Sequence, residues 1–247
     1  MSFSKSQYET VAKSLQDGLQ HISSDLPKIT PAVASAVNQW YIPGFAQHEA
    51  VEAAGKAVGL LEEFVKTLEH LVEGILAPLY FYDLSWKWRG PEVQGIASTV
   101  SADIQPDLLK GQLIWNSSAA TSYESAISLQ SPAAGKIADI AGSVATSLDV
   151  CATAGMVFYA ALVTLVIDVV KAVISIGVGG IDTLALVWTF IKTVAAITST
   201  AKVAAALTAL LAVLTAQATQ MSALIGDASD NKNFPHGNWP PPLAKSW

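Results

Sequence analysis

Residues 51–75 read VEAAGKAVGLLEEFVKTLEHLVEGI, and this stretch decides the fold class. Its apolar side chains recur at steps of three and four residues, which is the spacing of one face of an α-helix. The members of this stripe are Val51, Ala54, Val58, Leu61, Val65, Leu68, Val72 and Ile75. Because glutamate and lysine fill the opposite side, residues 45–79 are predicted to form an amphipathic helix that packs through one face.

The same helical period continues along the chain, and signals for β-strands are nearly absent. An earlier stripe begins at Phe3, and Pro27 and Pro31 are predicted to interrupt its helix. Later helices are predicted over residues 92–114, 118–176 and 182–225. Since about 60 residues of helix span roughly 90 Å, we predict an all-α fold: an elongated helical bundle with long antiparallel helical hairpins.

The sequence suggests three segments. Residues 1–90 carry amphipathic helices that end in an aromatic stretch, and residues 91–226 carry the long hairpins and the apolar C-terminal helices. Residues 227–247 form a polar, Pro-rich tail that is expected to be flexible.

Composition and charge exclude several classes of protein. The chain has 247 residues, of which 51% are hydrophobic and 14% are charged, and its net charge is −6. An acidic balance without a basic run argues against nucleic-acid binding. The single cysteine, Cys151, excludes an internal disulfide framework and a Cys-rich zinc site.

Residues suited to catalysis or metal binding are sparse. His48 stands four residues before Glu52, and His70 follows Glu69. A zinc site needs three or four converging ligands, so these pairs are expected to be solvated positions on a helix face. No catalytic triad or phosphate-binding loop is suggested, and we expect a non-enzymatic protein without metal or cofactor.

The first residues bear on localisation. Residues 1–19 are polar throughout and lack the apolar region and cleavage site of a secretory leader. We therefore expect either a cytoplasmic protein, or a secreted or cell-surface protein that leaves by a route that does not remove a leader.

Residues 79–90 read LYFYDLSWKWRG and are dense in aromatic side chains. The candidate aromatic patch consists of Phe81, Tyr82, Trp86 and Trp88. One interpretation is a buried plug at the end of a bundle, because aromatic side chains are usually core. The other is a surface that docks a protein partner or a membrane interface.

The C-terminal half contains two uncharged runs, residues 150–167 and 203–226. Charges at Asp182, Lys192 and Lys202 are spaced at close to three helical turns and are predicted to form a thin polar stripe. Two interpretations remain. The runs form the core of a soluble, self-associating bundle, or they insert into a membrane after leaving a soluble state.

The most specific local pattern is WNSSAATSY at residues 115–123, where a turn is expected between two helices. It resembles the signature of the Trp-x-Gly helical-hairpin proteins exported by type VII (ESX) secretion, particularly the larger secretion-associated members. The matching positions are Trp115, Ala119, Ala120 and Tyr123, and Ser117 stands where the motif has glycine. In such a turn the tryptophan fills the gap between the diverging helices, and the alanines let the second helix approach closely.

This resemblance implies a secreted helical protein that docks a secretion-system partner or itself, and we expect a homo-oligomer. The predicted docking surface is the Trp115 end together with the aromatic patch. No tyrosine has an acidic residue at the fourth following position, which is the spacing of the family's export signal. The alternative, based on the uncharged runs, is an α-helical pore-forming or membrane-permeabilising protein.

Overall fold

The structure is a computed structural model, and it describes residues 3–38, 42–108, 117–177, 184–198, 200–229 and 231–240. It is 90% helical, and no strand occurs among the described residues. The predicted all-α helical bundle is thereby confirmed.

The α-helices of the described ranges are numbered here in chain order. They are α1 (Lys5–Val37), α2 (Gly44–Val72), α3 (Ala77–Arg89), α4 (Ile96–Asp103), α5 (Ser118–Gly177), α6 (Leu184–Thr198) and α7 (Thr200–Ala228). A turn of π-helix spans Pro91–Gly95, and short 3-10 turns span Pro106–Leu108 and Pro235–Gly237.

Helix α1 runs through Pro27 and Pro31, so the predicted interruption at these residues is wrong. Both prolines lie on the exposed side of the helix, where water can satisfy the carbonyls that lose a backbone hydrogen bond. The buried face continues in helical register past both prolines, through Ile22, Leu26, Ile29, Val33 and Val37. Tertiary packing of this face therefore outweighs the local cost of proline.

The other predicted helices agree with the structure to different degrees. The helix predicted over 118–176 is confirmed as α5, whereas the range 45–79 is divided between α2 and α3 by a turn at residues 73–76. The range 182–225 is divided between α6 and α7. Of the range 92–114, only α4 and two short helical turns are described, because residues 109–116 lie outside the described part of the chain.

The chain forms two compact units, each built from separate segments. The first unit comprises Met1–Leu79 and Thr153–Ala212, and the second comprises Tyr80–Ala152 and Val213–Trp247. The units cut across the three segments suggested by the sequence, because α5 and α7 each contribute to both.

In the first unit, α1 and α2 run antiparallel, and α5 lies beside them. The hydroxyl of Tyr8, near the start of α1, donates to the carbonyl of Ile75, just after α2. From α5, the hydroxyl of Tyr159 donates to the carbonyl of Leu71 at 2.9 Å. The core of this unit includes the fully buried side chains of Leu15, Ile22, Leu61, Leu68, Leu162, Val166, Val169 and Phe190.

In the second unit, the first part of α5 packs mainly through alanine. Its buried alanines are Ala120, Ala126, Ala133, Ala134, Ala138, Ala141, Ala145 and Ala152. Lys136 forms an ion pair of 3.1 Å with Asp227 of α7, and the hydroxyl of Ser147 donates to Gln220 Oε1 at 3.2 Å. Because the earlier residue of α5 meets the later residue of α7, these two stretches run antiparallel.

Part of the tail folds as a turn, whereas the sequence suggested a flexible segment. The ring of Phe234 is buried, and the backbone N–H of His236 donates to Asn231 Oδ1 at 3.0 Å. His236 has a φ of 55°, in the left-handed region that few residues other than glycine adopt. Residues 241–247 lie outside the described part of the chain.

Candidate functional site

Ser117 forms the N-cap of α5. Its hydroxyl accepts a hydrogen bond of 3.3 Å from the backbone N–H of Ala120, the third residue of the helix. An N-cap side chain satisfies one of the four N–H groups that a helix start leaves without a partner. Serine therefore supplies a cap at the motif position where the resembling family has glycine, while Trp115 itself lies outside the described residues.

The remaining motif residues lie in the first turns of α5. Ala119 is half-buried and Ala120 is buried, so the small side chains face the interior of the second unit. Tyr123, one turn later, keeps 38% of its surface exposed. The start of α5 thus combines a close-packed inner side with an aromatic ring at the surface.

Helix α4 approaches α5 through hydroxyl groups that bond in both directions. The hydroxyl of Ser101 donates to the carbonyl of Ser131 at 2.9 Å, and the hydroxyl of Ser131 donates to the carbonyl of Ser101 at 2.8 Å. A Cβ atom placed on Gly135 would lie 3.3 Å from Ser101 Oγ, and one placed on Gly142 would lie 2.8 Å from Gln94 Nε2. The missing side chains at Gly135 and Gly142 therefore let the two stretches come close together.

Helix α3 is held on α5 by two polar side chains. Asp149 accepts a hydrogen bond from the hydroxyl of Ser85 and one of 2.7 Å from Arg89 Nη2. Sequence reasoning missed these three residues, because Asp149 stands 64 residues after Ser85 and no local pattern links them. The sequence indicates only that Ser85 and Arg89, one helical turn apart, lie on the same face of a helix.

The second unit thus contains an antiparallel pairing of residues 85–101 with the first part of α5. Its contacts pair Ser85 with Asp149, Gln94 with Gly142, and Ser101 with Ser131. The chain therefore reverses direction between Asp103, where α4 ends, and Ser118, where α5 begins.

The aromatic patch lies on α3 and is only partly exposed. Trp86 is 56% exposed and the neighbouring Tyr80 is exposed, whereas Phe81, Tyr82 and Trp88 are half-buried. The rings of Tyr82 and Trp86 meet edge to face, with centroids 6.2 Å apart. Because successive residues of a helix are about 100° apart, the three half-buried rings flank Ser85 on the side of α3 that contacts α5. The exposed aromatic surface of α3 is therefore that of Trp86 and Tyr80.

The predicted polar stripe is described at one of its three positions. Lys192 on α6 is exposed, and with Asp168 and Lys171 of α5 it lines a cleft of about 650 Å³ in the first unit. Asp182 lies outside the described residues, and for Lys202 the structure describes only its place in α7.

A second cleft, of about 870 Å³, lies in the second unit beside the hairpin. Its polar lining includes Arg89, Gln94, Asp139, Ser143 and Gln220. Two of these side chains already have protein partners. Arg89 of α3 pairs with Asp149, and Gln220 of α7 accepts a hydrogen bond from Ser147. Among the described residues, no group of three histidine, cysteine or acidic side chains is arranged to hold a metal ion.

Within the described ranges, one helix is long and apolar enough to cross a membrane, judged by length and composition. It is the stretch Ser118–Ile174 of α5, whose most apolar window has a mean hydropathy of 2.3 and is 44% buried. Core helices of soluble proteins pass the same test, but this helix also exposes Val157, Ile167 and Ile174.

No protein-family model, curated protein or solved structure matches the chain.

Proposed function

We propose that the chain is a secreted, non-enzymatic interaction protein of the type VII secretion class. It docks a protein partner through the hairpin end at residues 115–123 and the aromatic patch on α3. The partner is a component of the secretion system that exports it.

The observation that carries this proposal is the antiparallel pairing of the two stretches on either side of Trp115. The sequence resemblance rests on residues 115–123, and α5 begins at Ser118, inside this motif, and runs antiparallel to the stretch that contains Ser85, Gln94 and Ser101. A motif whose tryptophan fills the gap between diverging helices is expected where the chain reverses direction in this way. Sequence pattern and helix pairing therefore support the same hypothesis.

The surface chemistry supports docking over catalysis. Trp86 and Tyr80 are exposed on α3, and Tyr123 is partly exposed at the start of α5. Tryptophan and tyrosine are enriched in protein–protein interfaces, because they bury a large apolar area and still keep a hydrogen-bonding group. The polar side chains that lie near them hold helices together, as Asp149 does with Ser85 and Arg89.

The test is export from a host with a functional type VII system, compared with the same host lacking it. The intact chain is expected in the medium or at the cell surface only in the first host, with its N-terminus retained. Trp115→Ala is expected to abolish both export and copurification with the secretion components. Retention of the chain in the cytoplasm of both hosts would reject the proposal and favour the cytoplasmic alternative.

Two further variants make this test specific. Trp239→Ala removes an exposed tryptophan far from the motif in sequence and is expected to be exported normally. Ser117→Gly, which restores the glycine of the motif, is also expected to be exported. Loss of export in Trp239→Ala would mean that the effect of Trp115→Ala is not specific to the motif, and that the secretion system does not recognise the motif itself.

A second candidate function is membrane permeabilisation, favoured by the apolar length and exposed apolar side chains of α5. Purified protein is then expected to release dye from liposomes, and Ile167→Asp to abolish the release. Ser128→Asp changes an exposed polar position of the same helix and serves as the control. Absence of release across pH values and lipid compositions would reject this function.

A further inference from the structure

Helix α7 carries an exposed apolar stripe with the spacing of a coiled-coil seam. Leu214, Met221 and Ile225 are 45%, 47% and 65% exposed, and Ala218 between them is exposed as well. Steps of four, three and four residues are those of alternating d and a positions in a heptad repeat. These four residues are called the α7 seam below.

The α7 seam lies outside the contact between α7 and α5. The side of α7 that meets α5 carries Gln220, bonded to Ser147, and Asp227, paired with Lys136. On that same side Gln217 is buried. Ala218 and Met221 each stand one position after a residue of this inner side. Neighbouring residues of an α-helix are separated by about 100° around its axis, so α5 leaves the seam open.

We propose that the α7 seam pairs with the α7 seam of a second copy of this chain, with the two helices antiparallel. The charge pattern favours a second copy as the occupant. Residues 203–226 carry no charge, and the positions that flank the seam are Thr215, Ser222, Gln217 and Leu224. Charged flanking residues set partner choice in coiled coils, and without them two copies of the α7 seam can face each other with no like charges opposed.

The direction follows from side-chain volume. In the antiparallel arrangement Leu214 meets Ile225 of the second copy, and Ala218 meets Met221, so each layer combines side chains that fill it. A parallel arrangement would stack Ala218 on its own copy and leave a void.

A lipid surface is a poorer occupant for this stripe. Helices that lie in a membrane interface carry lysine and arginine on their polar face, whereas the stretch 203–226 has neither. The proposal does not rest on export, because it concerns a face of α7 remote in sequence from the motif at residues 115–123.

The first test is the mass of the full chain in solution, measured by light scattering over a range of concentrations. The intact chain is expected at twice the mass of one chain, and Met221→Glu at the mass of one chain with unchanged helical content. Thr219→Glu adds the same charge at an exposed position of α7 outside the seam and is expected to remain a dimer. A monomeric intact chain, or a dimeric Met221→Glu, overturns the proposal.

The second test fixes the pairing by cross-linking in a Cys151→Ala background. A mixture of Leu214→Cys chains and Ile225→Cys chains is expected to form disulfide-linked pairs containing one chain of each kind. Leu214→Cys alone is expected to form none, because in the antiparallel register its own copies lie about eleven residues apart, roughly 16 Å along the helix. Cross-linking of Leu214→Cys alone, or none in the mixture, overturns the antiparallel pairing.

Flotation with lipid vesicles tests whether lipid, and not a second copy, covers the α7 seam. Flotation of the intact chain with neutral or anionic vesicles that Met221→Glu abolishes would identify lipid as the occupant and overturn the proposal. Normal export of a monomeric Met221→Glu would support the seam and leave the proposed function standing. A dimer that is never exported would reject the proposed function and leave the seam intact.

Discussion

The rings of Tyr8 and Tyr159 meet edge to face, with centroids 6.0 Å apart and planes at 75°. The hydroxyl of Tyr159 donates to the carbonyl of Leu71, in the last turn of α2, at 2.9 Å, and that of Tyr8 donates to the carbonyl of Ile75 in the turn that follows. The last carbonyls of a helix have no partner within it. Tyr159 therefore caps α2, and the two tyrosines from α1 and α5 hold three helices of the first unit together.

Tyr159→Phe is expected to destabilise the fold by about 1 kcal/mol, because it removes the hydrogen bond to the Leu71 carbonyl in a partly buried setting. The measurement is the midpoint of urea unfolding followed by helical content. Tyr80→Phe, at an exposed tyrosine, is the matched control and is expected to change the midpoint little. Equal effects of the two substitutions would show that water donates a hydrogen bond to the Leu71 carbonyl when the Tyr159 hydroxyl is removed.

Tyr8 should make stability depend on alkaline pH. Burial, and to a smaller extent the neighbouring Tyr159, raises the pKa of the Tyr8 phenol. The folded chain then holds the phenol proton more tightly than the unfolded chain does. The stabilisation is complete below the unfolded pKa of about 10 and is lost progressively as the pH rises above it.

The measurement for Tyr8 is the urea midpoint between pH 8 and pH 12. The midpoint of the intact chain is expected to fall above pH 10, and Tyr8→Phe is expected to fall less steeply. Tyr80→Phe should keep the steep decline. If Tyr8→Phe and the intact chain lose stability in parallel, Tyr8 does not set the alkaline limit.

Substitutions of Ser117 distinguish a residue that caps α5 from one that only allows a flexible turn. Ser117→Ala removes the acceptor for the Ala120 N–H and is expected to cost about 1 kcal/mol. For a chain of this size that lowers the melting temperature by about 2–4 °C. Ser117→Gly is expected to cost only a few tenths of that energy, because glycine is itself tolerated at an N-cap.

Substitution of Ser118 supplies the control for Ser117. Ser118→Ala is expected to leave the melting temperature almost unchanged, because Ser118 follows the cap and is exposed. A Ser117→Gly chain less stable than Ser117→Ala would contradict the assignment of Ser117 as the cap.

The helices were predictable where the signal is local. Helix α5 was expected over 118–176 and spans Ser118–Gly177, because serines mark its start and glycines follow its end. The turn at 73–76 was missed because Val72 and Ile75 keep the helical period of the stretch before it. The interruption at Pro27 was wrong because a proline on the exposed side leaves the buried stripe intact.

The motif residues of the candidate site could be selected from the sequence, whereas the long-range contacts that hold α3 on α5 could not. Local pattern located Ser117, Ala120 and Tyr123, whose neighbours are adjacent in sequence. The attachment of α3 depends on Asp149, far away along the chain. Such contacts depend on how the helices pack together, so helical period and residue type do not predict them.

Glycine to alanine is expected to change stability in opposite directions at Gly155 and Gly59. A Cβ atom on Gly155 of α5 would lie 2.4 Å from Cγ of Pro78, and a proline ring cannot rotate away. Gly155→Ala is therefore expected to cost about 1–3 kcal/mol through overpacking. Gly59 lies on the exposed side of α2 with nothing within 4 Å of the added atom, so Gly59→Ala should stabilise by about 0.5–1 kcal/mol. Urea midpoints of the two variants measure both effects, and a stabilising Gly155→Ala would mean that α5 and Pro78 do not approach this closely in solution.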